Sequence, residues 1–303
     1  MTPNKCKILH IRIADQRLDG QLTSASFELP NGSPKYLFDF DTRVSGKEGK
    51  YTATISPNWN IGKKPNGGYL MSILNRAFQK ESELPHCLSV TAHYLRSPDP
   101  GPCQIEVVIE KTGRTITNVS GRLLSEGKTS IVALATYGDL NSMVGPSRQS
   151  ALAPEIDPPN QCEMMKWPDT IAGAVGSQMP NRFEMRVPRG SPFNGSRAAA
   201  EKAKLTVWMR FADDRPIDVD SVPLFLDSAP PAIMSVVRAG WIPTIDLTVH
   251  LRRAPVGSWL LGQFTTETLI NGILEEDGML WDEELDLVAT SRQQAMLLIP
   301  TKR

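Results

Sequence analysis

The stretch Thr244 to Leu297 decides the fold. It opens TIDLTVHLRRAP (Thr244 to Pro255) and closes VATSRQQAML (Val288 to Leu297). A fainter copy lies 157 positions earlier (His250 − His93 = 157). Without a gap, Thr91 meets Thr248, His93 meets His250, Arg96 meets Arg253 and Pro98 meets Pro255. Further on, Glu110, Ile116, Gly121, Leu123 and Glu126 meet Glu267, Ile273, Gly278, Leu280 and Glu283. These nine identities over positions 91–137 compare with roughly three expected by chance at residue frequencies of about 5–7%. A repeat of this period implies two copies of one structural module, and so bears on the fold more than any local motif.

The pattern around each copy agrees. In the first, Tyr36–Val44 and Lys50–Ser56 alternate apolar with polar residues as half-buried strands do, and Gly46-Lys47-Glu48-Gly49 predicts a hairpin between them. Pro65-Asn66-Gly67-Gly68 then opens onto apolar residues at Leu70, Ile73, Leu74 and Ala77, which is helical spacing. Strand-like runs follow at His86–Arg96, Gln104–Lys111, Thr115–Ser125 and Thr129–Tyr137. Residues 139–180 hold six prolines and little periodicity, although Met164, Met165 and Trp167 suggest that part of this linker packs down. The second copy repeats the order: strands at Arg182–Val187 and Lys204–Phe211, a helix over Val222–Val237, and strands near 243–252, 258–269, 272–282 and 285–297. Pro230-Pro231 should distort that helix by removing backbone donors. The expected organisation is a lead-in at 1–35 with a candidate strand at Lys7–Ile13, a first module at 36–138, the linker at 139–180 and a second module at 181–303.

Bulk composition narrows the function classes. Apolar residues at 40% and charged residues at 22% describe a globular chain with a substantial core. Basic and acidic residues balance at 33 each, so neither a nucleic acid nor a charged membrane surface is an expected partner. The four cysteines form no CxxC pair, which gives no sign of a zinc site or disulfide framework. There is no signal-like apolar region and no apolar run of membrane-spanning length, so cytoplasm is the expected location.

Specific residues carry a resemblance. WNIGKKPNGGYLMSILNRA (59–77), LTVWMRFADDRPIDVDSVPLFLDSAPPA (205–232), TIDLTVHLRRAP (244–255) and LDLVATSRQQAML (285–297) resemble the thioesterase-like, double-hotdog family related to type II acyl-CoA thioesterases. The resemblance covers about residues 36–298. It implies an α+β fold, a tandem hotdog in which each module wraps an antiparallel sheet around a long central helix. It also implies hydrolysis of an acyl thioester, on coenzyme A or on a carrier, with no metal and no cofactor beyond the coenzyme A of the substrate. A homo-oligomer is open, because single hotdogs pair and a double one already contains that pairing.

In that family an Asp, a Ser or Thr, and a Gln hold the attacking water. Residue by residue, the resemblance assigns these roles to Asp227, Thr244 and Gln293. Type II enzymes usually have a His directly after the Asp that follows the hydroxyl residue, whereas here Leu247 follows Asp246 and the histidine is His250. The chemistry asks for a base and for groups that orient water, and a carboxylate, a hydroxyl and an amide supply these. Gln293 and Gln294 must point to opposite faces of a strand, so only one can serve. The offset places Leu70, Cys87 and Thr136 at the corresponding first-module positions if no gap intervenes (227 − 157, 244 − 157, 293 − 157). That set lacks the carboxylate and the amide, so the chemistry is expected in the second module alone. Asn66, Gly67 and Gly68 are a candidate oxyanion or thioester-carbonyl site, since free N–H groups gather at a helix start; a plain turn with an N-cap is the simpler alternative. Two alternatives to hydrolysis stay open: a non-hydrolytic acyl-binding or accessory protein, and a hotdog dehydratase using His93 or His250 as base.

Overall fold

The computed structural model describes residue 32 and residues 34–194, 200–237 and 241–298. The lead-in, with its candidate strand Lys7–Ile13, lies almost wholly outside these residues. The described chain begins with a short helix α1 (Leu37–Asp41), strands β1 (Ser45–Lys47), β2 (Lys50–Ile55), β3 (Asn60–Ile61) and β4 (Lys64–Pro65), and the helix α2 (Gly67–Glu81). Strands β5 (His86–Tyr94), β6 (Gly101–Lys111), β7 (Thr117–Ser125) and β8 (Lys128–Gly138) follow. The proline-rich segment contributes β9 (Glu163–Met164) and a one-turn helix α3 (Asp169–Ala172). Then come β10 (Phe183–Val187), β11 (Ala203–Phe211), α4 (Val222–Leu226), β12 (Thr244–Leu251), β13 (Leu260–Thr266), β14 (Leu269–Ile270), β15 (Ile273–Trp281) and β16 (Leu287–Met296).

One 14-stranded antiparallel sheet runs β1-β2-β6-β7-β8-β5-β12-β16-β15-β13-β11-β10-β9, with β14 beside β15. Its order is symmetric about the β5–β12 contact: β8 mirrors β16, β7 mirrors β15, β6 mirrors β13 and β2 mirrors β11. When two copies of one strand pair antiparallel, a two-fold axis must pass between counterpart residues. The 157-residue offset makes those Thr91 and Thr248, and they are direct partners, with their hydroxyls 2.9 Å apart. Gly121 and Gly278 are both tightly enclosed, the first by the helix α2 and the second by neighbouring strands. A Cβ on Gly121 would lie 2.4 Å from the Phe78 ring, and one on Gly278 would lie 3.1 Å from the Phe264 ring.

The Thr91–Thr248 bond gives a first prediction. Thr91→Val alone should cost about 1 kcal/mol, because Thr248 loses its partner, while Thr91→Val with Thr248→Val should recover most of that loss. Denaturant unfolding of the three proteins checks it.

Register also shows where the copies part. β7 pairs Val119 with Ala135, and β15 pairs Glu276 with Gln293. Here 276 − 119 = 157 but 293 − 135 = 158, so the β15–β16 turn carries one residue more than the β7–β8 turn. Ala135, not Thr136, is therefore the counterpart of Gln293. Cys87 remains the counterpart of Thr244: each precedes a bulge at the same place, Cys87/Ser89 and Thr244/Asp246.

The helix α2 is buried on nearly every side, from Gly68 to Asn75 and at Ala77 and Phe78, as a helix enclosed by a sheet must be. Its N-cap is Asn66, whose Oδ1 accepts the Tyr69 N–H at 2.9 Å. The second helix is far shorter. α4 stops at Leu226, and a separate 3-10 turn spans Ala232–Ser235. Pro230 and Pro231 lie in the break, where neither can donate an N–H and the residue before each is pushed out of the helical region.

One expected strand is a helix. Tyr36–Val44 alternates, yet Leu37–Asp41 forms a helical turn that buries Leu37, Phe38 and Asp41. A five-residue segment fits either period, so tertiary contacts decide. The Asp41 carboxylate accepts from Trp59 Nε1 at 2.9 Å and Asn58 Nδ2 at 3.0 Å, and its carbonyl accepts from the Tyr69 hydroxyl at 2.9 Å. Trp59 joins the two copies: it stacks on Tyr69 at 5.6 Å and meets Phe183 and Phe211 edge-on at 6.3 and 6.5 Å. Phe225 of α4 packs edge-on against both of those phenylalanines. In the segment expected as a linker, Met165 is buried and Trp167 is half-buried, while Met164 stays exposed.

Candidate active site

Asp227 follows α4 directly, at the point where the prolines end the helix. Its Oδ2 accepts the Gly68 N–H at 2.7 Å and the Asn66 Nδ2 at 2.9 Å, and Asn66 Nδ2 also reaches the Asp227 carbonyl at 2.6 Å. A carboxylate from the second copy thus sits on the N-terminus of the long helix of the first. The exposed amides and the positive end of the helix dipole both favour the charged form. Crowding opposes them. Tyr94 closes one side, with its hydroxyl on the Gly67 carbonyl at 3.0 Å, and a Cβ on Gly67 would lie 3.0 Å from Asp227 Oδ2 and 3.1 Å from the Tyr94 ring. Loss of water outweighs the N–H groups of Gly68, Asn66 and Gly67, and the Asp227 carboxyl is pushed up to about 6. The residue keeps a partial opening to solvent, so it is hemmed in without being sealed.

Thr244 and Gln293 form a second cluster. Along β12 the inward positions are Leu247, Val249 and Leu251. Strict alternation would send Thr244 outward, and the bulge between Thr244 and Asp246 reverses it. The Thr244 hydroxyl donates to Gln293 Oε1 at 3.1 Å. On β16, Gln293 is buried and Gln294 exposed.

Glu276 belongs to this second cluster, and sequence reasoning missed it. It lies opposite Gln293 in the ladder and is 4% exposed. Its Oε1 accepts from Gln293 Nε2 at 2.9 Å, and its Oε2 takes the Ala232 N–H at 2.5 Å, an amide that the proline break leaves without a helical partner. Burial, with a smaller push from the Asp227 charge, raises its carboxyl to about 7. A signal was available: Leu274, Glu276, Gly278 and Leu280 are the inward set of β15, and a carboxylate at an inward position calls for an explanation.

Asn66, Gly67 and Gly68 therefore meet the Asp227 carboxylate, which uses donors expected to face an oxyanion. The counterparts of Glu276 and Gln293 in the first copy are Val119 and Ala135, both buried and apolar. His93 and His250 lie on the opposite face, since Val90, Ala92, Val249 and Leu251 fill the inward positions of β5 and β12. His93→Ala and His250→Ala should each leave turnover within about twofold, whereas loss of a general base would cost a hundredfold or more. Steady-state rates decide. A cleft of 590 Å³ opens elsewhere, between Pro158 and Pro159 and the side chains of Arg186, Trp208 and Trp259; it shares no residue with these clusters. Among the described residues no helix is long and apolar enough to cross a membrane.

Comparison with known proteins agrees with this architecture. Residues 55–138 match the family model for the acyl-CoA thioesterase N-terminal domain, and residues 159–297 match that for the C-terminal domain. A candidate thioesterase II from Thermobifida fusca shares 30% identity, with a TM-score of 0.78 over 87% of this chain and 98% of its own. A hot dog fold protein of unknown function from Alicyclobacillus acidocaldarius has a TM-score of 0.76 at 22% identity, over 88% of this chain and 99% of its own. An uncharacterised Mycobacterium tuberculosis protein is 26% identical over 264 residues, which is 82% of this chain and 90% of that protein. The two halves of the chain match the two halves of one enzyme family, in the same order, and the chain belongs to the acyl-CoA thioesterase family of tandem hotdog hydrolases.

Proposed function

We propose that the protein hydrolyses an acyl thioester, on coenzyme A or on a carrier, with a water activated by Asp227 and oriented by Thr244 and Gln293. The water oxygen bonds to the thioester carbonyl carbon as Asp227 takes its proton. The tetrahedral intermediate then expels the thiolate, which recovers that proton from the Asp227 carboxyl. A base works best with a pKa near the operating pH, and a carboxylate raised to about 6 meets that need where an exposed one near 4 does not. Asn66 and Gly68 hold the base in one orientation.

The observation that carries this reading is the Asp227 carboxylate, crowded and raised, on the helix start of the other copy. Thiol release from acyl-CoAs of several chain lengths tests it. The expected result is turnover by the wild type that falls at least tenfold in Gln293→Ala. Tight acyl-CoA binding with no thiol release would replace it with an acyl-binding protein.

A further inference from the structure

Glu276 has no role in the reaction as written, yet when ionised it completes a chain of hydrogen bonds with only one consistent direction. We infer that Glu276 is a positioning residue that fixes which end of the Gln293 amide faces Thr244, and so which way the Thr244 hydroxyl points its proton. For its kinetic consequence this rests on the thioesterase reading above.

A glutamine amide is nearly symmetric in shape, so its neighbours must decide its orientation. The buried Ala232 N–H needs an acceptor and takes Glu276 Oε2. An ionised carboxylate only accepts, so the oxygen facing Gln293 calls for its NH₂ group. The Gln293 carbonyl is thereby turned to Thr244, and the Thr244 proton is committed to it. What remains for substrate and water is a set of Thr244 lone pairs and the second N–H of Gln293. The pair belongs to the second copy alone, because the same ladder position in the first holds Val119 and Ala135. The added carboxylate and amide thus accompany Asp227. The charged group inside the fold that acts on Glu276 is Asp227 after α4; Asp277, next to it on β15, adds a smaller charge effect from the other face of the strand, where Arg292 of β16 is bound to it.

Glu276→Gln separates positioning from simple support. The new side chain keeps a carbonyl for Ala232 but sets an NH₂ against Gln293. The Gln293 amide must then flip, and Thr244 becomes an acceptor with its proton released. No bond is lost, yet every bond beyond Ala232 reverses. The expected result is a kcat at least tenfold lower with KM within twofold, and no further loss when Glu276→Gln is added to Gln293→Ala. Unchanged kcat, or an equal loss in the wild-type and Gln293→Ala backgrounds, would overturn the inference while leaving the hydrolase standing. An arm independent of activity uses protein labelled with ¹⁵N-glutamine. The Gln293 side-chain amide protons should shift as Glu276 titrates, and that shift should vanish in Glu276→Gln. Amide resonances that ignore both pH and the substitution overturn the inference even if acyl-CoA is not the substrate.

Discussion

Asp227→Asn should lower kcat by about 10²–10⁴-fold, the range for losing a general base, with acyl-CoA affinity little changed. Asparagine keeps the shape and one carbonyl acceptor for Gly68 and Asn66, so the loss is chemical and the local fold is retained. The same variant should be more stable than the wild type above neutral pH. Asp227 and Glu276 both have folded-state values above their ordinary ones, about 6 against 3.8 and about 7 against 4.5. The unfolded chain therefore releases these protons first. The stability tied to the protonated forms is complete below about pH 4 and is lost as pH rises through 6 and 7. Each group accounts for on the order of 2–3 kcal/mol across that window. Asp227→Asn should raise Tm at pH 8 and change it little at pH 4, and thermal melts at the two values check this.

Gly68→Ala should be destabilising although alanine favours helices by about 1 kcal/mol. The new Cβ would lie 2.5 Å from the Pro223 carbonyl oxygen, 3.0 Å from Leu224 Cα and 2.9 Å from Asp227 Cβ. The first two are backbone atoms of α4 and cannot rotate away, so the two helices must separate. Overpacking of this kind costs about 1–3 kcal/mol or more, which exceeds the gain in propensity. Because α4 carries Asp227 onto the start of α2, the same shift should also lower kcat. A wild-type melt with a wild-type rate in Gly68→Ala would mean that the helix contact is looser than described.

The long-range plan was legible in the sequence because it depends on periodicity and counting. The offset marked Thr91 and Thr248 as counterparts, which the sheet then pairs, and alternation separated Gln293 from Gln294. What stayed hidden depends on single residues. Tyr36–Val44 fits a strand or a helix until Trp59, Asn58 and Tyr69 engage Asp41. One added residue in the β15–β16 turn moved the counterpart of Gln293 from Thr136 to Ala135. The bulge that turns Thr244 inward leaves no mark in composition. Glu276 stands in a Glu275-Glu276-Asp277 run whose composition is that of a solvated face, although its strand parity points inward. Both copies build the cluster: the second supplies Asp227, Thr244, Gln293 and Glu276, and the first supplies the helix start that holds the Asp227 carboxylate.

The pH dependence of kcat/KM for acyl-CoA hydrolysis decides whether Asp227 is the base, because it reports the base in the free enzyme. The wild type should rise through an apparent pKa near 6, with a shoulder toward 7 where Glu276 couples to Asp227. In Asp227→Asn the limb near 6 should vanish together with most of the rate. A wild-type profile that is flat from pH 5 to 8, or a limb near 6 that survives in Asp227→Asn, would contradict the assignment of Asp227 as the base.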